Sequence, residues 1–213
     1  MSKLAFIFPG QGAQKAGMGK DFYENSEAAR SFFDQAQKIL DFDLKEMCFG
    51  EHEELNLTEY TQPCMVSVCL AIVQELKKRG INPDITAGLS LGEYAAVAAA
   101  GGMNELDAIK LVRRRGILMQ STVPAGEGAM AAVLGLDAKK IEEILESFEN
   151  VWIANYNCPG QIVITGLTNE VQQASLALKE AGAKRVVELK VSGPFHSQLL
   201  KPAGEALLKE MES

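Results

Sequence analysis

The chain of 213 residues carries a net charge of −7, from 28 acidic against 21 basic side chains, and 47% of its residues are hydrophobic. That balance supports one large domain or two small ones sharing a core and disfavours nucleic acid and anionic membrane as partners. No apolar run reaches membrane-spanning length, and the apolar start is too short for a signal peptide. The four cysteines (Cys48, Cys64, Cys69, Cys158) lack C-x-x-C spacing, so they read as buried, reduced thiols of a cytosolic protein, not a metal site.

Leu4 to Phe8 is a short apolar strand. The loop Pro9-Gly10-Gln11-Gly12-Ala13-Gln14 follows. A dinucleotide fingerprint from Gly10 would need glycine where Lys15 stands, and a P-loop from Gly12 reaches Gly17 but then meets Met18 instead of lysine. The loop is thus a bare backbone turn at the carboxyl end of a strand, where open α/β sheets place their sites. Its N–H groups could complete an oxyanion hole; a purely structural turn fits the stretch equally well. Asp21 to Leu40 carries one or two amphipathic helices, followed by a loop to about Asn56. Gln62-Pro63 begins a long helix to Arg79, with Pro63 in its first turn. Lys77-Lys78-Arg79 form a solvated last turn, and Gly80 stops it.

Ile85-Thr86-Ala87 reads as a buried strand, Tyr94 to Ala100 as a packed helix. Between them stands Gly88-Leu89-Ser90-Leu91-Gly92-Glu93. Strand, sharp turn with serine at the apex, then helix is the nucleophile-elbow arrangement. Gly88 and Gly92 permit close approach of strand and helix, Ser90 is pushed outward, and the Leu91 N–H points where an oxyanion would form. A glycine-flanked turn with an incidental serine is the competing reading. After Gly101-Gly102, Asn104 caps a helix to about Ser121, with Asp107 at the capping-box position. That helix carries Arg113-Arg114-Arg115. At about 100° per residue the three cannot share a face. Arg115 faces Leu111 and Met119 and has no acid at i±4, so it is either a surface arginine or one that holds an anion from outside the chain.

From Ala125 the pattern becomes strand (Ala129 to Leu136), helix capped by Asp137, strands Val151 to Tyr156 and Gln161 to Gly166 joined by Asn157-Cys158-Pro159-Gly160, helix from Thr168, and strand Lys184 to Val191. This β-α-β-β-α-β order is the ferredoxin-like pattern. A last helix follows, from Ser197 to about Met211. The expected organisation is a large α/β domain, 1–124 plus 192–213, with a small ferredoxin-like subdomain at 125–191.

The chain has two histidines. His52 lies among Glu51, Glu53 and Glu54 in what reads as a solvated acidic loop. His196 follows Gly193-Pro194-Phe195 just before a helix and is the only plausible general base for Ser90. Asp107 and Asp137 are accounted for as helix caps, which leaves a dyad without an acidic third member.

Six segments, in this order, resemble the malonyl-CoA:acyl-carrier-protein transacylase family of bacterial fatty-acid synthesis. They are Phe8-Pro9-Gly10-Gln11-Gly12, Thr61-Gln62-Pro63, Gly88 to Tyr94, Arg115 to Gln120, Asn157 to Gln161 and Gly193 to Ser197. The resemblance covers the whole chain. It implies an α/β-hydrolase-like core with an inserted ferredoxin-like subdomain and a ping-pong malonyl transfer. The malonyl group passes from coenzyme A through Ser90 to the phosphopantetheine thiol of acyl carrier protein, with no permanently bound cofactor and no metal. By motif, Ser90 is the nucleophile, His196 the base, and the Gln11 and Leu91 amides the oxyanion hole. Arg115 is the clamp on the malonyl carboxylate, Gln62 lines the same pocket, and Phe195 supplies bulk against methylmalonyl. Lys184, Arg185 and Lys190 match a basic stretch suited to docking an acidic carrier protein.

Two features depart from the family pattern. Leu89 replaces the usual histidine before the nucleophile. The family also continues for roughly another third of its length beyond the position of Ser213. The resemblance therefore implies a C-terminally shortened member with exposed apolar surface in its large domain, in which activity does not follow from family alone. A non-catalytic fragment of this fold, a serine hydrolase and a polyketide-type acyltransferase are the alternative readings.

Overall fold

Strands β1 (Ala5–Phe8) and β2 (Ile85–Gly88) pair in parallel, from Ala5 against Ile85 to Phe8 against Gly88. They lie in the first of two units, which ends at Ile117, the second beginning at Leu118. The structure is a computed structural model that describes residues 3–124, 126–189, 191 and 193–212. β2 is expected to be buried, but only one face of the pair is covered, and exposed apolar surface of the kind the resemblance implies for the large domain is found here. Ala5, Ile7, Ile85 and Ala87 point to the same exposed side, Ile7 with 79% of its surface accessible, whereas Phe8 on the other side is buried. An all-apolar run signals two-sided cover, and among the described residues nothing covers the second side.

The first unit is otherwise helical. α1 (Lys20–Asn25) and α2 (Glu27–Ile39) divide the amphipathic stretch at Ser26, whose hydroxyl accepts from the Ala29 N–H at 3.1 Å and caps α2. Ala29, Phe32, Phe33 and Ala36 follow the i, i+3, i+4, i+7 spacing of a core stripe, and all four are buried. α3 (Leu44–Phe49) lies where a loop was expected. Asp43 caps it and Leu44 and Cys48 anchor it, but two apolar positions in six residues are too few for periodicity to register.

α4 (Thr58–Lys78) begins four residues before the expected Gln62-Pro63, so Pro63 lies inside the helix. Proline has no N–H for the carbonyl four residues back, here that of Glu59. Arg113 supplies the missing donor: its Nη1 reaches the Glu59 carbonyl oxygen at 2.7 Å. The same guanidinium pairs with the Glu59 carboxylate at 3.1 Å and with both Asp41 oxygens at 2.9 Å, and lies over the rings of Phe42 and Tyr60. The early start of α4 thus depends on a long-range partner that local sequence does not reveal.

α5 (Gly92–Ala99) and α6 (Glu105–Thr122) complete the set. As expected, the Asn104 side chain caps α6, accepting from the Leu106 and Asp107 amides. Phe33, Leu44, Leu70, Leu91 and Ile109 are among the largest fully buried side chains of this core.

The second unit follows the expected β-α-β-β-α-β order. Its elements are β3 (Gly128–Leu134), α7 (Ala138–Leu145), β4 (Val151–Cys158), β5 (Gln161–Leu167), α8 (Thr168–Glu180) and β6 (Arg185–Glu188), followed by α9 (Lys201–Met211). The sheet is antiparallel throughout, in the order β4-β5-β3-β6. Asp137 caps α7 by accepting from the Lys139 amide at 3.0 Å. The period-two pattern of β3 separates two small cores. Ala129, Ala131 and Val133 face Ile141, Val171 and Leu178 of α7 and α8, while Met130 and Ala132 face Val163 and Phe195 on the opposite side.

None of the four cysteines is in a disulfide. Cys48 and Cys64 are buried as expected and Cys69 is partly so, but Cys158 is exposed at the end of β4, where the hairpin turn leaves the sheet. Among the described residues no helix is long and apolar enough to cross a membrane.

Candidate active site

Among the described residues only Ser90 (φ 50°) and His196 (φ 59°) combine a side chain with left-handed backbone. For an L-residue that conformation costs about 1–2 kcal/mol, and residues held there cluster at functional sites. These are the two residues the sequence singles out as nucleophile and base. They belong to different units.

In the first unit the Ser90 turn is held from both sides. The β1–β2 ladder extends into it through the Leu89 N–H, which donates to Phe8 O at 3.1 Å, and α5 closes behind it through Gly92 N–H to Leu89 O at 2.9 Å. A side chain at Gly88 would meet the Gly92 carbonyl carbon at 2.0 Å, and one at Gly92 would meet the Phe8 carbonyl oxygen at 2.3 Å. The close approach that the elbow spacing implies is therefore present.

The Pro9–Gln14 loop lies against this elbow: a side chain at Gly10 would come within 2.9 Å of the Leu89 carbonyl oxygen. Its glutamines pin it to the neighbouring chain. Gln11 Nε2 donates to Thr58 Oγ1 at 3.2 Å, Gln14 Oε1 accepts from the Gly12 amide at 2.7 Å, and Gln14 Nε2 donates to Asn56 Oδ1 at 3.1 Å. Among the described residues, neither the Gln11 nor the Leu91 backbone N–H donates to a protein acceptor. Both amides remain available to a developing negative charge.

Thr58 begins α4, and Gln62, fully buried, lies one turn further along it. α6 crosses this turn closely, since a side chain at Gly116 would meet Glu59 Cα at 2.7 Å and Thr58 O at 2.8 Å. That contact brings Arg115 beside the first turns of α4. Its guanidinium carbon lies 5.4 Å from the centre of the Tyr94 ring, and Tyr94 is in the first turn of α5, four positions after Ser90. The Pro9–Gln14 loop thus meets both the elbow and the first turn of α4, and α6 meets that same turn and, through Arg115, α5.

The three arginines divide as the helical phase requires. Arg114 is exposed, and Arg113 is held by Asp41 and Glu59. Arg115 makes no ion pair among the described residues. Burial lowers the Arg115 pKa from its usual value, opposed by the Tyr94 hydroxyl and, more weakly, by Glu93. A desolvated cation without a carboxylate is suited to receive one.

In the second unit, His196 is exposed at the end of the Gly193-Pro194-Phe195 segment. Pro194 packs on the backbone of Gly128 at the start of β3, the Ser197 hydroxyl donates to Pro194 O at 2.7 Å, and Phe195 is buried against Met130, Ala132 and Val163. Lys184 and Arg185 are exposed at the beginning of β6, and Lys190 lies outside the described residues. His52 sits in the acidic stretch as expected, with Nε2 3.0 Å from Glu46 Oε1. Among the described residues no group of three or more histidine, cysteine or acidic side chains could hold a metal ion.

Sequence reasoning missed the side chains that brace this region: Gln14, Thr58, Arg113 and Tyr94. Only Tyr94 carried a local signal, its position four residues after Ser90.

Comparison with known proteins finds the acyl transferase domain model matching residues 5–213. The malonyl CoA-acyl carrier protein transacylase of Bacillus subtilis is 49% identical, over 100% of this chain and 69% of that protein. The crystal structure of a malonyl CoA-acyl carrier protein transacylase from Clostridium perfringens superposes with a TM-score of 0.93 at 43% identity, covering 99% of this chain and 68% of that one. A malonyl-transacylase in complex with its type II PKS acyl-carrier protein gives a TM-score of 0.94 at 40% identity, covering 99% and 70%. The chain thus spans about two thirds of the length of the relatives it matches.

Proposed function

We infer that this chain, which belongs to the acyl transferase domain family, moves a malonyl group from coenzyme A to the phosphopantetheine thiol of acyl carrier protein. The observation that carries this reading is the Ser90 elbow, with its left-handed serine and the two available amides beside it. The matched transacylases supply the substrate pair.

In the proposed mechanism, Ser90 Oγ attacks the thioester carbonyl carbon while His196 takes its proton. The Gln11 and Leu91 amides hold the oxyanion. The carbon–sulfur bond then breaks, and the departing thiolate receives the proton from His196. The carrier-protein thiol attacks the malonyl-serine ester by the same steps in reverse order. Arg115 holds the malonyl carboxylate through two parallel N–H donors, Gln62 lines the pocket, and Phe195 limits bulk beside the acyl carbon. The acceptor brings its own phosphopantetheine, so no resident cofactor is needed.

The reading extends to the architecture and the cell. The parallel β1–β2 pair with its serine elbow supports a hydrolase-like core, 1–124 plus 192–213. The antiparallel β4-β5-β3-β6 sheet supports a ferredoxin-like insertion at 125–191. Lys184 and Arg185, with Lys190 assigned from the sequence alone, are the docking residues for an acidic carrier protein, and the protein works in the cytoplasm in fatty-acid synthesis. The malonyl-transacylase solved with a type II PKS carrier favours polyketide supply as the second reading.

The test is transfer. The chain is incubated with malonyl-CoA and phosphopantetheinylated carrier protein, and malonyl-carrier is followed by mass. Product that disappears with Ser90→Ala supports the reading; no product, or product that persists in that variant, contradicts it. Fatty-acid and polyketide carriers offered in turn separate the two pathways by their relative rates.

A further inference from the structure

Tyr94 lies within the elbow segment, yet the reaction as written leaves it without a role. Its position is informative. It stands in the first turn of α5, four positions after Ser90, whose left-handed turn leads directly into that helix. Its ring lies under the Arg115 guanidinium at 5.4 Å, and Arg115 projects from α6, a different element. Through Tyr94, therefore, the helix that follows the Ser90 turn touches the arginine.

The two arginines on either side of Arg114 show what this contact achieves. Arg113 is braced by carboxylates, bidentate from Asp41 and single from Glu59, and its charge is neutralised where it stands. Arg115 is also withdrawn from water, but Tyr94 braces it instead, with its ring under the guanidinium and its hydroxyl beside it, and Glu93 acts on it without forming an ion pair. A ring face attracts a cation without cancelling its charge. A carboxylate at position 94 would orient the guanidinium equally well and would compete with an incoming one.

We propose that Tyr94 is a positioning residue for acyl selection: its ring holds the Arg115 guanidinium oriented but not neutralised, at a fixed spacing from Ser90, so that a carboxylated acyl group is preferred over a neutral one. This inference rests on the proposed role of Arg115. A cation–π contact of this kind is worth roughly three- to thirtyfold in an equilibrium constant.

The test is equilibrium binding of malonyl-CoA and of acetyl-CoA, by calorimetry, in a Ser90→Ala background that prevents turnover. Tyr94→Leu is expected to weaken malonyl-CoA about tenfold and leave acetyl-CoA nearly unchanged, while Tyr94→Phe, which keeps the ring, stays within about threefold of the parent. Circular dichroism confirms that each variant is folded. Equal weakening of both ligands by Tyr94→Leu, or an unchanged malonyl-to-acetyl ratio, overturns the proposal and leaves the Arg115 assignment intact, provided Arg115→Ala lowers the ratio. If Arg115→Ala leaves the ratio unchanged, or the parent binds no malonyl-CoA, the functional reading fails and this inference fails with it.

Discussion

Replacing Gly92 by alanine probes the elbow with a single methyl group. The new carbon would lie 2.3 Å from the Phe8 carbonyl oxygen and 2.8 Å from the Phe8 carbonyl carbon and the Pro9 carbonyl oxygen. All three neighbours are backbone, so no side chain can swing away. Moving from 2.3 Å to the 3.4 Å of ordinary contact requires about 1.1 Å of separation between β1 and the start of α5. Overfilling a packed site costs about 1–3 kcal/mol in stability. The same shift displaces Ser90 and the Leu91 amide from the Pro9–Gln14 loop, and a misplacement of about 1 Å costs on the order of a hundredfold in rate. The matched control is Gly204→Ala in α9, where φ is not positive and nothing lies within 4 Å of the new carbon; it is expected to gain about 0.5–1 kcal/mol from helix propensity. Urea unfolding and the rate of Ser90 acylation by malonyl-CoA measure both effects. A Gly92→Ala variant that acylates at the parental rate with unchanged stability would refute the close-packed elbow.

Arg115→Ala is expected to lose malonyl transfer and gain relative acetyl transfer, since leaving one partner of a buried charge pair alone costs about 3–5 kcal/mol; competition between the two thioesters, read by mass, measures the ratio. Arg113→Met leaves the Glu59 carbonyl and carboxylate without their donor and should cost about 2–3 kcal/mol in chemical denaturation at pH 7. Arg113 holds the Asp41 carboxyl below its ordinary 3.8, so that part of the stabilisation is full above pH 3.8 and is lost as pH falls through the lower folded-state value. The gap between parent and variant should therefore narrow in acid, and a gap that widens would contradict the assignment. In thiol alkylation Cys158, exposed, should react first; Cys69, pushed up by burial to about 11, should lag, with Cys48 and Cys64 protected until unfolding. Reversing the charges of Lys184 and Arg185 together should slow transfer to carrier protein while leaving acylation by malonyl-CoA unchanged, as stopped-flow measurement of each half-reaction would show.

The parts of the fold that were legible are those fixed by local chemistry. Ser26 was not singled out, but Asn104 and Asp137 were, and both cap the helices assigned to them. The elements from β3 to β6 were read nearly whole because alternating strands and turn residues repeat there at short range, and β3 sorts its side chains as the pattern requires. The start of α4 was misplaced because Pro63 normally marks a first turn, and the donor that lets it sit deeper is Arg113, fifty positions along the chain. α3 escaped because two buried side chains make no periodic signal. β2 reads as buried because its run is apolar throughout, whereas the exposed face of β1 and β2 is implied only by the greater length of the family. Ser90 and His196 were legible as residue types in distinctive settings, whereas Tyr94, Thr58 and Gln14 act through contacts between elements that only the folded chain brings together.

The most direct measurement is the intact mass of the chain after mixing with malonyl-CoA, beside Ser90→Ala. A malonyl adduct that requires Ser90 and leaves when carrier protein is added is the expected result, and peptide mapping should place it on the elbow. A folded chain, shown so by circular dichroism and hydrogen exchange, that forms no adduct would contradict the assignment of Ser90 as a working nucleophile here.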